Sequence, residues 1–267
     1  MIDIGVNLTS SQFSEDWRAV NERAQAAGVS TMLITGTSVN DSVQAQALAQ
    51  QLGCYSTAGV HPHNASQWQP NSNTILQTLL KSPHVVAVGE CGLDYDRNFS
   101  TPEAQRYAFQ QQLEIAVSVG KPLFLHCREA HDDFLRMLKP LWPSLHGGVL
   151  HCFTGSDKAL EECLELGLYI GITGWLCDER RGQLLQQQVR RIPLSRLLLE
   201  TDAPYLLPRD LSPKPKSRRN EPMYLPHIAR RVAELTGTAF DELVAQTSEN
   251  ARRLFHIPAS SAPANML

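Results

Sequence analysis

Short apolar runs rich in β-branched residues alternate along the chain with longer stretches whose apolar positions recur at intervals of three and four. These are the two periods that separate a buried strand from an amphipathic helix. The short runs fall at 2–8, 31–35, 55–60, 85–90, 123–126, 148–151, 168–173 and 197–202. Helical stretches occupy 13–27, 42–52, 75–81, 102–119, 130–141, 158–166 and 182–189 between them, and two more, 225–235 and 240–255, follow the last strand. Val85-Val86-Ala87-Val88 is apolar at every position, the pattern of a strand covered on both faces by helices and hence of a parallel sheet. Local signals agree with these limits. Thr101-Pro102 offers a capping hydroxyl followed by proline at a first helical position, and Gly28, Gly120 and Gly167 stand where helices would end.

Eight such units are the count that closes a (β/α)8 barrel, and a chain of 267 residues matches the roughly 250 that one barrel requires. The fold class expected is therefore α/β, a TIM barrel forming one domain over residues 1–257, with 258–267 as a flexible C-terminal tail. An open doubly wound sheet is the alternative; neither GxGxxG nor GxxxxGK[ST] follows the first strand to support it. The segment 204–222, with Pro204, Pro208, Pro213, Pro215 and Pro222, cannot be helical for long. Following the eighth strand, it should lie over the barrel mouth as an ordered loop. It carries Arg209, Lys214, Lys216, Arg218 and Arg219 against Asp210 and Glu221.

Composition narrows the function classes. With 24 Lys and Arg against 27 Asp and Glu, the net charge of −3 excludes a protein that grips nucleic acid through bulk positive charge, leaving only a local basic stripe. Six cysteines without a CxxC pair suit a reducing compartment rather than a disulfide frame or zinc ribbon. No apolar run approaches the roughly 18 residues of a membrane span, and no basic region of a signal peptide opens the chain. A soluble, cytoplasmic protein with no membrane partner is expected.

Polar residues gather at one end of the predicted strands. His61 and His63 end the third, Glu90 the fourth, His126 the fifth, His151 the sixth and Asp202 the eighth. The C-terminal strand ends are where the active sites of such barrels form, and core packing gives no reason for so many to be polar at once. Imidazole and carboxylate together suit a borderline divalent cation. Glu90, His126 and His151, on adjacent strands, can converge on one ion with its remaining positions left to water, the open coordination of a catalytic metal. Asp202, from the far side, is then the candidate proton acceptor or a ligand to a second ion. Cys91, Cys127 and Cys152 each follow a candidate ligand, so strand alternation turns them toward the helix layer. Arg128 either reaches over the mouth to a phosphate or forms a surface salt bridge. Thr154-Gly155-Ser156 either offers N–H groups to an anion or simply caps a helix. The basic proline-rich loop either tracks a phosphodiester backbone or is solvated. His84, His131, His146, His227 and His256 fall away from the strand tips and receive no role.

The motifs Asp3-Ile-Gly-Val-Asn, Gly59-Val-His-Pro-His, Gly89-Glu-Cys-Gly-Leu-Asp, His126-Cys-Arg, His151-Cys-Phe-Thr-Gly, Glu200-Thr-Asp-Ala-Pro-Tyr and Asn220-Glu-Pro, spread from about residue 1 to 256, resemble those of the TatD family of metal-dependent nucleases. The resemblance implies a metallo-dependent hydrolase of the TIM-barrel type. It implies a 3′→5′ exonuclease acting on the ends of single-stranded DNA and RNA, cytoplasmic and linked to repair of oxidative DNA damage. Magnesium is the implied cofactor, with manganese or zinc as alternative divalent ions, and a monomer is expected. Glu90, His126 and His151 match the family's metal ligands, and Asp202 matches the aspartate that ends its last strand. His61 and Arg128 match positions lining its phosphate site, with His63 assigned to substrate beside them. The chain departs from the family on strand 1, where most members carry a His-x-His pair and Gly5 and Asn7 stand here. One firm ion is therefore expected, with any second held by Glu90, Asp202, water and substrate. Two rival functions share these residues: hydrolysis of a small amide, lactone or phosphoester, and a module that binds nucleic acid without cutting it.

Overall fold

The computed structural model describes residues 1–259, so the tail predicted from 258 lies, from 260 onward, outside the described residues. Eight strands, β1 (Ile2–Val6), β2 (Thr31–Ile34), β3 (Tyr55–Ala58), β4 (Val85–Asp94), β5 (Leu123–Arg128), β6 (Gly148–Leu150), β7 (Tyr169–Ile172) and β8 (Leu197–Leu199), lie side by side in chain order, each pair parallel. The ends of the sheet meet where Val6 bridges Ala203 in parallel. There Asn7 N donates to Ala203 O and Asp202 N donates to Gly5 O, each at 2.8 Å. That closure makes the sheet a nearly complete barrel and removes the open-sheet alternative.

The helices are α1 (Trp17–Ala26), α2 (Val39–Leu52), α3 (Ser72–Leu79), α4 (Pro102–Val119), α5 (His131–Leu138), α6 (Asp157–Leu166), α7 (Gln183–Gln188), α8 (Leu225–Thr236) and α9 (Phe240–Phe255). None is long and apolar enough to cross a membrane. Helix α4 shows how local chemistry sets its limits: Thr101 Oγ1 accepts from Ala104 N at 3.2 Å, Pro102 opens the first turn, and Gly120, at φ +70°, takes the left-handed conformation that ends it. Helix α2 begins earlier than its apolar period indicates, because Ser38 caps it by accepting from Asp41 N.

Inside the barrel, Ile4, Leu33, Ala87, Phe124, Val149 and Leu198 form one packed cluster, and Leu254 and Phe255 at the end of α9 join it. Chemistry is thereby confined to the opposite end of the barrel, since a cylinder filled in this way has no through-channel. A larger cluster packs the outward strand faces against the helices.

Two strand limits differ from the sequence pattern in ways that shape the site. Strand β4 runs four residues beyond Glu90, with a register shift against β5 between Gly89 and Cys91. Gly89 and Gly92 have φ values of +142° and +147°, and a Cβ on either would strike the backbone of β5 at Phe124 or His126. Only glycine lets the bulged strand press so close. Strand β8 stops at Leu199, and Asp202 turns away with φ +56°, an uncommon conformation for a residue other than glycine.

Candidate active site

Glu90 lies on the bulge of β4, its N–H donating to Gly36 O at 2.9 Å, and its carboxylate is almost wholly buried. Around Glu90 Oε2 stand His151 Nε2 at 2.6 Å, His126 Nδ1 at 3.0 Å and His61 Nε2 at 3.4 Å. The far nitrogen of each closer ring meets a second carboxylate: His126 Nε2 is 2.8 Å from Asp94 Oδ2, and His151 Nδ1 is 2.9 Å from Glu200 Oε1. The three ligand candidates read from the sequence are thus brought together, and two carboxylates to which it gave no role, Asp94 and Glu200, orient them. Their signal was spacing. Glu200 stands two residues before Asp202, and Asp94 four after Glu90, so each lies close in sequence to a recognised residue.

The electrostatics follow from this crowding. Burial works against ionisation of Glu90, yet the His151 and His61 imidazoles and the hydrogen bonds from His126 and His151 hold its carboxyl well below the usual range. Burial likewise opposes charge on His151, but Glu90 and Glu200 carry its pKa well above that of an ordinary imidazole, and Asp94 and Glu90 raise that of His126. Asp94, despite its burial, is lowered to about 2, chiefly by His126. Both ring nitrogens of His126 and His151 therefore face carboxylate acceptors, which favours positive charge on the rings beside Glu90.

That arrangement fits a divalent cation. Glu90 Oε2, His126 Nδ1 and His151 Nε2 share one small region, while Asp94 and Glu200 accept from the outward N–H of each ring, the support that fixes tautomer and orientation of metal-bound histidine. An ion would take the place of the two inward protons. His61 differs. Although its ring lies within ligand reach of Glu90 and His126, its Nδ1 accepts from His63 N at 3.0 Å. The neutral ring then carries its hydrogen on Nε2 and is a donor toward anionic oxygen.

Asp202 lines the cavity beside His151 and Glu200. Burial raises its carboxyl to about 7; His151 opposes the rise, and Glu200 and Glu90 add to it. Asn7 Nδ2 donates to Asp202 Oδ1 at 3.0 Å. Gly5 explains the departure on strand 1, because a Cβ there would sit 3.1 Å from Glu200 Oε1 and 3.3 Å from Phe124 Cζ. A side chain at position 5 would therefore press on Glu200 and Phe124. His151, Glu200 and Asp202 offer a second group of ligand atoms within 4.8 Å of one another.

Above these groups opens a cavity of about 560 Å³, lined also by Asn7, Thr37, Asp41, Asn64, Trp175 and Tyr205. Arg128 lies on its wall with Nε 3.6 Å from Asp96 Oδ2, a half-exposed pair that is cheap to break. Among the described residues His63 Nε2 has no hydrogen-bond partner, Asp94 Oδ2 being 3.4 Å away, and its ring meets the exposed Phe99 edge-on.

Three sequence expectations need correction or completion. Cys91 belongs to the helix-facing core and Cys127 packs against that core while also bordering the cavity, whereas Cys152 lines the cavity with its Sγ 3.6 Å from Thr173 Oγ1. Alternation fails there because β6 ends at Leu150 and Cys152 has φ +46°. Ser156 Oγ caps α6 by accepting from Ala159 N, the helix-cap reading of that segment. In the proline-rich loop, Arg209 is bound to Glu179 at 2.8 Å and Arg219 to Asp16 at 2.8 Å, so two of its cations are already paired within the protein.

A sequence profile described as TatD related DNase matches residues 2–256. The protein named 3′-5′ ssDNA/RNA exonuclease TatD from Erwinia amylovora is 60% identical over 257 residues, which cover 96% of this chain and 99% of that one. The protein of the same name from Salmonella typhimurium is 57% identical over 258 residues, covering 96% and 99%. Among solved structures, the TatD homologue YJJV from Escherichia coli superposes with a TM-score of 0.89 at 30% identity, covering 97% of this chain and 98% of its own. A TatD family hydrolase from Entamoeba histolytica does so with 0.86 at 28%, covering 96% and 97%. Matched along nearly its whole length by profile, relatives and structures alike, the chain belongs to the TatD-related DNase family.

Proposed function

We propose that this protein is a metal-dependent 3′→5′ exonuclease of single-stranded DNA and RNA, with Glu90, His126 and His151 as metal ligands, Asp202 as proton acceptor, and His61, His63 and Arg128 as substrate contacts. The observation that carries the reading is the carboxylate of Glu90 set between two imidazoles, each backed by a further carboxylate, beneath a polar cavity. When bound there, a divalent ion supplies charge against the phosphate and acidifies water. Magnesium is the ion the family resemblance implies, and the imidazole content of the donor set also suits manganese or zinc.

The protein's own groups complete the site. Asp202, near neutral in its proton affinity and steered by Asn7, takes the proton of the water that attacks phosphorus and returns it to the 3′ oxygen of the remaining strand as the bond from phosphorus to that oxygen breaks, so that the terminal nucleotide leaves with its 5′ phosphate. The Nε2–H of His61 and the guanidinium of Arg128 donate to non-bridging oxygens. Tyr205 and Trp175 on the cavity wall and Phe99 beside His63 offer aromatic faces to unstacked bases, a sequence-tolerant mode of holding a single strand. The direction of cutting comes from the names of the relatives, and a cavity closed below by the packed barrel favours chain ends over internal bonds. On this reading the protein works as a cytoplasmic monomer on DNA ends, including those left by oxidation.

The test is trimming of 5′-labelled single-stranded DNA with magnesium, manganese or zinc, and with EDTA. A ladder shortening from the 3′ end only when an ion is present supports the proposal. Binding without shortening, or shortening that survives EDTA, overturns it.

A further inference from the structure

We propose that Cys177, Asp210 and His227 form a second metal site, outside the barrel mouth, that takes a zinc-type divalent cation and fastens the proline-rich loop to its neighbours. The three side chains come from separate parts of the fold. Cys177 ends the 3-10 turn Gly174–Cys177 that follows β7, Asp210 lies in the loop after β8, and His227 is in the first turn of α8. One potential ligand atom from each lies within 4.8 Å of the others. His227 Nε2 is 2.6 Å from Asp210 Oδ1, and the buried Cys177 thiol faces the same carboxylate.

The donor chemistry selects the ion. A thiolate, an imidazole and a carboxylate form a mixed soft and borderline set, which favours zinc over magnesium or calcium. The thiolate and carboxylate together neutralise a dication, so binding leaves no net charge in the half-buried site. Without a cation, burial and the Asp210 charge keep the thiol protonated, and an ion must displace that proton. Asp210 and His227 are 40% and 28% exposed, which gives the ion an entry path and leaves a fourth position to water.

The position gives the site a task. The loop after β8 carries Tyr205 and Leu206 to the cavity wall, and the 3-10 turn carries Trp175 to it. These segments already touch: Gly174 lies against Leu206 O and Pro208, and Arg209 pairs with Glu179. A cation held by Cys177, Asp210 and His227 would tie both walls to α8 and hold the mouth in one arrangement. A lone cysteine whose partners lie far along the chain left no spacing motif to reveal this.

The experiment is a cobalt titration of metal-stripped protein, read by the near-ultraviolet charge-transfer band that requires a thiolate ligand. The ligands assigned to the nuclease site contain no thiol, so the band is silent to that ion and the test stands apart from the nuclease reading. We expect the band to level off at the intensity of one thiolate-bound cobalt per chain in the wild type and in Glu90→Gln, to be displaced by zinc, and to vanish in Cys177→Ser. Asp210→Asn and His227→Gln should each weaken cobalt binding by more than about tenfold, since even outer partners of a ligand are worth that much. They also serve if Cys177→Ser does not fold. Absence of the band in excess cobalt, its persistence in Cys177→Ser, or unchanged affinity in the other two variants overturns the proposal.

Discussion

His151 and Glu200 are bound through His151 Nδ1 and Glu200 Oε1 at 2.9 Å, which turns the other ring nitrogen of His151 toward Glu90. Glu200 is fully buried and acts on the candidate ion through the histidine it orients. Glu200→Ala should raise the metal concentration needed for half-maximal activity by about 10- to 100-fold. Most of the lost rate should return at saturating metal. An unchanged metal requirement would remove Glu200 from this positioning role.

Asp202 and Asn7 separate proton transfer from substrate binding. Asp202→Asn should lower kcat by about 10²- to 10⁴-fold while leaving affinity for single-stranded DNA, measured in calcium, near that of the wild type. Asn7→Ala removes one hydrogen bond to Asp202 Oδ1, of the order of 1 kcal/mol, and should cost about two- to tenfold in kcat. Full activity of Asp202→Asn would exclude it as the proton acceptor.

Restoring a histidine pair on β1 should cost stability. A side chain at Gly5 meets Glu200 Oε1 and Phe124 Cζ, so Gly5→Ala should cost about 1–3 kcal/mol in urea unfolding and Gly5→His more. A Gly5→His, Asn7→His variant that keeps wild-type stability and gains a tightly held ion would show that the room exists after all.

Asp3 gives a stability signature away from the reaction. Its carboxyl accepts from Thr201 N at 3.0 Å, Thr201 Oγ1 at 2.5 Å and Gly5 N at 3.2 Å, but burial outweighs these bonds and raises its pKa to about 8. Between about pH 4, where the unfolded chain releases the proton, and about pH 8, where the native state does, folding retains a proton that unfolding loses. This group's contribution to stability must therefore fall as pH rises through that window. Asp3→Asn should gain stability relative to the wild type across it and level off above. A difference between the two unfolding curves that does not change with pH would contradict the assignment.

How much of this was legible beforehand differs by element. Eight apolar runs marked all eight strands, because a strand buried on both faces leaves a continuous signature, and the strand-tip residues could be counted from it. What the period could not show was irregular backbone. The bulge at Gly89 and Gly92 extends β4 to Asp94, and the early end of β6 turns Cys152 into the cavity instead of the helix layer. The roles of Glu200 and Asp94 were hidden for a related reason, since they act through other side chains and only distance reveals the pairing. The loop arginines Arg209 and Arg219 read as free cations from composition, whereas their partners Glu179 and Asp16 come from distant segments.

The measurement that bears most directly on the central claim is anomalous diffraction from crystals grown with manganese, compared with Glu90→Ala crystals prepared alike. The account predicts a peak about 2.0–2.3 Å from Glu90 Oε2, His126 Nδ1 and His151 Nε2, the usual range for such bonds, and its loss in the variant. A protein that trims DNA with manganese while showing no peak among those three atoms would contradict it.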